Sequence, residues 1–218
     1  MQGPDLGVFS LSMACQIDSR AWALKEQSDP ADAVLKEIEA IGQRSFIPSI
    51  GPVKGRILAE IVKKTRPKRI LEVGALYGYS AILMAKNSPP GVQIVSVEKN
   101  PEHARITKGN IRRANIEGRI SVVEGDGTTE LRKLSGSFDL VFLDAEKTEY
   151  LAYLKALEKN LHKGSVVVAD NVGIFKDQMQ DYLEYVRNKG PYKSRTVETL
   201  LEFSDNTKDA MEISEKLD

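Results

Sequence analysis

The sequence predicts a doubly wound α/β fold with a mostly parallel sheet. The first observation is that, from Arg69 onward, short runs of β-branched and apolar residues alternate with segments of helical periodicity. Such alternation is typical of parallel strands joined by right-handed crossover helices on both faces of one sheet. The second observation is that the chain has 218 residues and no internal repeat or Pro/Gly-rich linker, which fits one domain.

The part of the chain before Arg69 is predicted to be helical. Apolar residues at helical spacing predict one helix over 30–44, with Asp29 as its expected start, and a second over 51–65, ended by Pro67. Residues 1 to about 18 show little periodicity, and we expect an arm or a first helix there. The predicted helices of 1–66 would form a cap on the core of the same domain.

The predicted core, 67–218, carries the alternating elements. Strands are expected at 69–73, 93–97, 120–124, 140–143 and 165–169. Helices are expected around 79–87, 101–115, 127–134, 147–161 and 177–188. Two β-rich stretches at 193–203 and 209–217, separated by a Ser-Asp-Asn turn signal, predict a C-terminal antiparallel hairpin.

The composition points away from several classes of protein. Lys plus Arg and Asp plus Glu both number 31, so the net charge gives no field that favours nucleic acid or an anionic membrane. The sequence contains no tract of about 18 apolar residues and no secretory signal at its start, so we expect a cytoplasmic protein. Cys15 is the one cysteine, which excludes an internal disulfide and suggests a small apolar filler.

A glycine turn and three acidic residues predict a nucleoside cofactor. Gly74 lies at the turn after the first strand, where a ligand can approach the backbone, and Glu98 ends the second strand, where it could accept from ribose hydroxyls. NAD and S-adenosylmethionine both satisfy these contacts. However, the spacing is not G-x-G-x-x-G, and Glu72 would repel a pyrophosphate but suit the amino group of a methionine moiety. Asp126, placed to accept from an adenine amino group, also favours S-adenosylmethionine.

Oxygen donors follow two further strands of the predicted sheet. Asp144 ends the fourth strand, and Asp170 with Asn171 ends the fifth, so they should meet at the edge where such sheets bind ligands. Two carboxylates and an amide would leave about three positions open in an octahedral Mg2+ site. Lys147 lies one turn after Asp144, where a nearby cation would disfavour its charged form and favour a general base. The alternatives are a helix cap at Asp144, a turn at Asp170 and Asn171, and a solvated Lys147.

At these residues the sequence resembles the metal-dependent catechol O-methyltransferases, a family that also contains caffeoyl-CoA O-methyltransferases and bacterial relatives. The motifs that carry the resemblance are LEVGALYGYSA, VSVEKNPEHA, VFLDAEKTEYL and ADNV, in this order, and it covers roughly residues 30 to 218. The resemblance implies a seven-stranded sheet in which the last hairpin supplies an antiparallel strand. It also implies transfer of a methyl group from S-adenosylmethionine to a small hydroxylated acceptor, with Mg2+ or another divalent cation.

The resemblance also assigns roles to individual positions. Ser80 would lie near the methionine carboxylate and Glu98 on the ribose, while Asp144, Asp170 and Asn171 would bind the metal. Lys147 would be the general base, and Glu202 would hold the second hydroxyl of the acceptor. The full set expected to bind the donor is Ile50, Gly51, Glu72, Gly74, Ser80, Glu98, Lys99, Asp126, Gly127 and Asp144.

The sequence departs from the family near the acceptor. Glu146 stands where catechol enzymes carry an aromatic residue, which weakens the expectation of ring stacking on that wall, and Leu76 replaces an aromatic residue near the donor. Phe46 and Phe175 match hydrophobic gatekeepers and could form a slot for a flat ring. Two other interpretations stay open, methylation of a hydroxylated uridine in tRNA and a non-catalytic donor-binding protein. A homodimer formed through the N-terminal arm also stays open.

Overall fold

The computed structural model describes residues 29–45, 47–204 and 206–218, so Phe46 and the expected N-terminal arm with Cys15 lie outside the described residues. The first helix, α1, spans Pro30–Arg44, and its N-cap Asp29 accepts from the Ala31 N–H at 3.0 Å. The second, α2, spans Pro52–Thr65 and begins one residue after the predicted start, because Gly51 is its N-cap. Both predicted helices are thus confirmed.

Within the described residues, seven strands form one sheet. They are β1 Arg69–Val73, β2 Gln93–Glu98, β3 Ile120–Glu124, β4 Phe138–Leu143, β5 Leu161–Ala169, β6 Tyr192–Leu200 and β7 Lys208–Lys216. Their order across the sheet is β3-β2-β1-β4-β5-β7-β6. The first five pair in parallel, and β7 lies antiparallel between β5 and β6. The predicted fold class is confirmed, including the antiparallel strand supplied by the C-terminal hairpin.

The helices that follow the strands are α3 Tyr79–Asn87, α4 Pro101–Arg113, α5 Gly127–Lys133, α6 Tyr150–Leu157 and α7 Gln180–Glu184. The helix expected over 147–161 is interrupted, since it begins as a 3-10 turn, Lys147–Glu149, and ends as another, Glu158–Asn160. The last helix continues into a π-helical turn, Tyr185–Lys189. The 3-10 turn at Lys147 places that residue directly beside the end of β4.

Two apolar clusters pack on the two faces of the sheet, as alternation of side chains along a strand requires. Helices α1 to α4 cover one face, where Leu58 of α2 and Ile82 of α3 pack over Ile70 and Leu140. Helices α5, α6 and α7 cover the other face, where Leu154 packs over Leu71 and Val141. Because α1 and α2 share a core with the sheet, they fix the loop between them above the carboxyl ends of the strands. Among the described residues, no helix is long and apolar enough to cross a membrane.

Candidate active site

A cavity of about 340 Å³ lies at the carboxyl ends of β1, β2 and β4. This is the edge at which doubly wound sheets bind ligands. Of the residues predicted to bind a donor, those that line it are Ile50, Gly74, Ser80, Glu98, Lys99, Gly127 and Asp144. Gly51, Glu72 and Asp126 lie outside its lining.

The turn after β1 requires glycine at position 74. Gly74 has φ +96°, and a Cβ there would lie 2.1 Å from the backbone oxygen of Asp144. The backbone N–H of Asp144 also donates to the carbonyl of Val73 at 2.9 Å. Because the ends of β1 and β4 lie this close together, Asp144 lines the cavity.

Glu98 is held by backbone N–H groups on two sides. Its Oε2 accepts from Ala75 and Leu76 at 2.9 and 2.8 Å, and its Oε1 accepts from Asn100 at 2.8 Å. The side chain of Asn100, and not that of Glu98, caps α4. A carboxylate has about four acceptor positions, so this one is fixed in place and still able to accept from a ligand.

Glu72 lies beneath the cavity and is fully buried. The hydroxyls of Ser80 and Ser96 both donate to its carboxylate oxygens. Burial is the main cause that raises the pKa of Glu72 to about 7, against the hydrogen bonds from the two serines. When Glu72 is ionised, the one hydroxyl proton of Ser80 is given to it, so the Ser80 oxygen presents only acceptor lone pairs to the cavity. This polarity suits an ammonium group of a ligand, whereas the resemblance places the methionine carboxylate near Ser80.

The carboxylate of Asp126 lies outside the cavity lining and contacts neighbouring groups of the protein. Its Oδ1 accepts from the Thr128 N–H at 3.0 Å, and its Oδ2 pairs with Lys99 at 2.9 Å. A different acid, Glu149, lines the cavity and accepts from the hydroxyl of Tyr153, which also lines it. We did not predict this pair from the sequence. The signal that could have identified it is the spacing of Glu149 and Tyr153, an acidic and an aromatic residue one helical turn apart.

Lys147 contacts the end of β4 through two polar atoms. Its Nζ lies 2.8 Å from Oδ1 of Asp144 and donates to the Tyr150 hydroxyl oxygen at 2.9 Å. The same hydroxyl lies 3.1 Å from the carbonyl oxygen of Leu143 and 3.3 Å from that of Asp170. Lys147 is therefore largely shielded and paired, unlike the solvated surface lysine that was its alternative. Glu146, and not Asp144, is the N-cap of the 3-10 turn.

Asp170 and Asn171 follow β5 directly beside Asp144, since the Asp170 N–H donates to the carbonyl of Leu143 at 3.0 Å. Both side chains are buried. Burial and the negative charge of Asp144 raise the pKa of Asp170, which shows that the two carboxylates repel one another. The predicted set is thus brought to one place.

Two residues that sequence reasoning missed complete this cluster. Lys54 of α2 pairs with Asp170 and with Asp209 of β7, and Asp209 accepts from the Asn171 amide at 2.8 Å. Lys54 lies on the buried face of its helix, four residues before Leu58. A lysine on that apolar face was the signal that could have found it.

The residues predicted for the acceptor have unequal surroundings. Glu202 is buried, and its Oε1 accepts from the Lys54 N–H at 2.6 Å, which caps the first turn of α2. Gly51 leaves room for it, because a Cβ there would lie 2.8 Å from Glu202 Oε2. Glu146 is exposed at the cavity rim, and Phe175 is half-buried against the core under α7.

The donor atoms at this edge fit a divalent cation. Oδ1 of Asp170 is buried without a hydrogen-bond donor, although the Lys54 ammonium lies 2.8 Å away. Asp144 adds a second carboxylate and Asn171 an amide oxygen, the types of ligand that Mg2+ prefers. Within the described ranges, no three His, Cys, Asp or Glu side chains are arranged to hold a metal. The set therefore depends on Asn171 as its third protein ligand.

The chain matches known O-methyltransferases in sequence. A family model described as O-methyltransferase matches residues 25–189. Catechol O-methyltransferase B of Danio rerio is 36% identical over 185 residues, which cover 82% of this chain and 69% of that protein. Catechol O-methyltransferase of Mus musculus is 31% identical over 190 residues, which cover 83% and 71%.

Solved structures show the same fold. The O-methyltransferase of Bacillus cereus, solved in complex with SAH, has a TM-score of 0.75 at 24% identity, covering 90% of this chain and 94% of that one. TomG of Streptomyces achromogenes, an O-methyltransferase solved with SAM, has a TM-score of 0.77 at 22% identity, covering 93% and 96%. With the family model matching most of the chain and the fold shared, the chain belongs to the O-methyltransferase family.

Proposed function

We propose that this chain transfers a methyl group from S-adenosylmethionine to one hydroxyl of a vicinal dihydroxy, catechol-type small molecule, with a divalent cation such as Mg2+ bound beside the acceptor. The observation that carries the proposal is the meeting of Asp144, Lys147, Asp170 and Asn171 beside a cavity that contains Glu98. A protein that only binds a donor would need neither the acids nor the lysine. The catechol O-methyltransferases among its relatives support the choice of acceptor.

The cavity supplies the contacts that a nucleoside donor needs. Glu98, fixed by three backbone N–H groups, would accept from ribose hydroxyls, and Ser80 would lie beside the methionine moiety. Gly127 and Tyr153 lie at the end of the cavity assigned to adenine. When bound, S-adenosylmethionine supplies a methyl group on a sulfonium sulfur, which passes to the acceptor oxygen and leaves S-adenosylhomocysteine.

Asp144, Asp170 and Asn171 would hold the cation. Two neighbouring carboxylates favour a positive ion, because its charge would offset their mutual repulsion. When bound, a divalent cation supplies positive charge that favours the ionised form of the acceptor hydroxyl. The protein's own contribution is to orient the acceptor and to exclude water.

In the neutral form of its amine, Lys147 would take the proton of the acceptor hydroxyl at its Nζ. Tyr150 holds this nitrogen beside Asp144, within reach of a group at the carboxyl ends of β4 and β5. Glu202 accepts from the second hydroxyl of the acceptor through the oxygen that does not cap α2. This division of roles leaves one hydroxyl to be methylated and one to be held.

The role of the cation is tested by removing it. With S-adenosylmethionine and catechol, EDTA should abolish product formation, and excess Mg2+ should restore it. An Asp144→Asn variant should respond weakly to added Mg2+, whereas the exposed Asp177→Asn, which lies outside the cluster, should behave as wild type. Full turnover in chelator would remove the cation from the mechanism.

A further inference from the structure

A buried ionic network lies behind the proposed cation ligands. It consists of Lys54, Asp170, Asn171 and Asp209, which we call the Lys54 network. Lys54 is 1% exposed, and its Nζ lies 2.8 Å from Asp170 and 2.5 Å from Asp209. Burying such charges costs desolvation free energy that the pairing only partly offsets, so stability alone is a weak reason for this arrangement.

Asp209 is the centre of the network. Its Oδ2 accepts from Lys54 Nζ and from Asn171 Nδ2, and its Oδ1 accepts from the N–H groups of Gly173 and Ile174, both at 3.1 Å. These four groups are all donors, so Asp209 acts as an acceptor on every side that the described residues reach.

This acceptor decides which way the Asn171 amide points. The two ends of a planar amide differ in kind, one being a donor and the other an acceptor. With Nδ2 donating to Asp209 at 2.8 Å, the carbonyl oxygen must point away from Asp209. The reverse orientation would set that oxygen against a carboxylate, so it is disfavoured. The backbone of Asn171 lies in the left-handed region, with φ +61°, and this conformation sets the direction in which the side chain leaves the backbone.

Lys54 has a matching effect on Asp170. Its Nζ lies 2.8 Å from Oδ1 of Asp170 and donates to Oδ2 at 3.0 Å. The ammonium therefore holds the Asp170 carboxylate through both of its oxygens. Residues that hold ligands in this manner typically change metal affinity about 10- to 100-fold when they are replaced.

We infer that Asp209 and Lys54 are positioning residues for the cation, an inference that rests on the proposed function. Asp209 turns the Asn171 carbonyl oxygen toward the cation, and Lys54 holds the Asp170 carboxylate in place. Neither residue lines the cavity assigned to the donor. The network also connects Asp170 and Asn171, which follow β5, to α2 and β7. These contacts restrict the rotation of both side chains.

The test is Mn2+ binding, followed by the electron paramagnetic resonance signal of the free ion, with no donor or acceptor present. Asp209→Asn should raise the Kd for Mn2+ by about tenfold or more. The matched control is Glu212→Gln, which removes another buried carboxylate of the same strand that pairs with Arg187 on the other face. The control should bind Mn2+ as wild type does.

Two outcomes would overturn the inference while leaving the proposed function intact. One is an equal loss of Mn2+ affinity in Asp209→Asn and Glu212→Gln, and the other is no loss in Asp209→Asn. Absence of Mn2+ binding in the wild type would instead overturn the cation site, and the inference with it.

A second measurement does not depend on how the variants fold. In the wild type, NMR of the Asn171 side-chain amide should show protons that exchange slowly with solvent, because one of them is bonded to a buried carboxylate. Fast exchange of both protons would overturn the assigned orientation of the amide.

Discussion

The ammonium nitrogen of Lys147 lies 2.8 Å from a carboxylate oxygen of Asp144. Both side chains are 13% exposed, so this contact is shielded from water without being sealed from a ligand. The neighbouring Tyr150 hydroxyl connects Lys147 to the ends of β4 and β5. A candidate base and a candidate cation ligand are therefore held in one fixed arrangement by the edge of the sheet.

Replacing Lys147 should therefore affect turnover more than binding. Lys147→Met keeps the apolar stem but removes the amine, and loss of a general base lowers kcat by about 10²- to 10⁴-fold. The Kd for S-adenosylmethionine, measured by calorimetry, should change little. Lys155→Met, on the exposed side of α6, is the matched control. An unchanged kcat in Lys147→Met would exclude it as the base.

Glu98 should show the opposite pattern. In Glu98→Gln, the side-chain NH2 must face one of the three N–H groups that donate to the carboxylate in the wild type. This contact between two donors weakens both the turn after β1 and the hydrogen bonds to the ribose. We expect the Kd for S-adenosylmethionine to rise by about 10-fold or more, since a hydrogen bond to a charged group contributes about 1.5–3 kcal/mol. Glu124→Gln, the exposed register partner on β3, should bind the donor normally. Equal affinity in the two variants would contradict the assignment.

Glu72 predicts a pH dependence of stability. Its folded-state pKa of about 7 lies above the ordinary 4.5, so between these values the folded chain binds more protons than the unfolded chain. The stabilisation is complete below about pH 4.5 and is lost as the pH rises through 7, by at most about 3 kcal/mol. Glu72→Gln cannot ionise and should lack this loss.

The measurement is the free energy of unfolding in urea at pH 5 and pH 8, in EDTA and without donor. Wild type should lose more stability between the two pH values than Glu72→Gln does. Glu124→Gln controls for the change in net charge. Identical pH profiles for wild type and Glu72→Gln would show that Glu72 titrates normally in the fold.

The sequence predicted the strands and the set formed by Asp144, Asp170 and Asn171 because those features are local. Each lies at the end of an apolar run, and parallel strands bring such ends to one edge. Lys54 and Asp209 were missed because their contacts are not local, with Lys54 116 positions from Asp170 and Asp209 38 positions from Asn171. Glu72 was identified as a ligand-facing acid, but the structure turns its carboxylate to Ser80 and Ser96, a packing outcome that spacing does not reveal.

The interrupted helix after β4 is another feature that depends on contacts which the local sequence does not reveal. Periodicity predicted one helix over 147–161, yet the first turn is 3-10. There the Lys147 side chain reaches both Asp144 and the Tyr150 hydroxyl. Tertiary contacts at the site therefore override the local preference for a regular helix.

The central claim is methylation of one hydroxyl of a vicinal pair, and it is tested most directly by comparing catechol with phenol. The chain is incubated with methyl-labelled S-adenosylmethionine and Mg2+, and the products are separated and identified by mass. We predict labelled methyl on an oxygen of catechol and none above the enzyme-free background on phenol, which has no second hydroxyl to be held. Equal labelling of the two compounds, or no labelled catechol product, would contradict it.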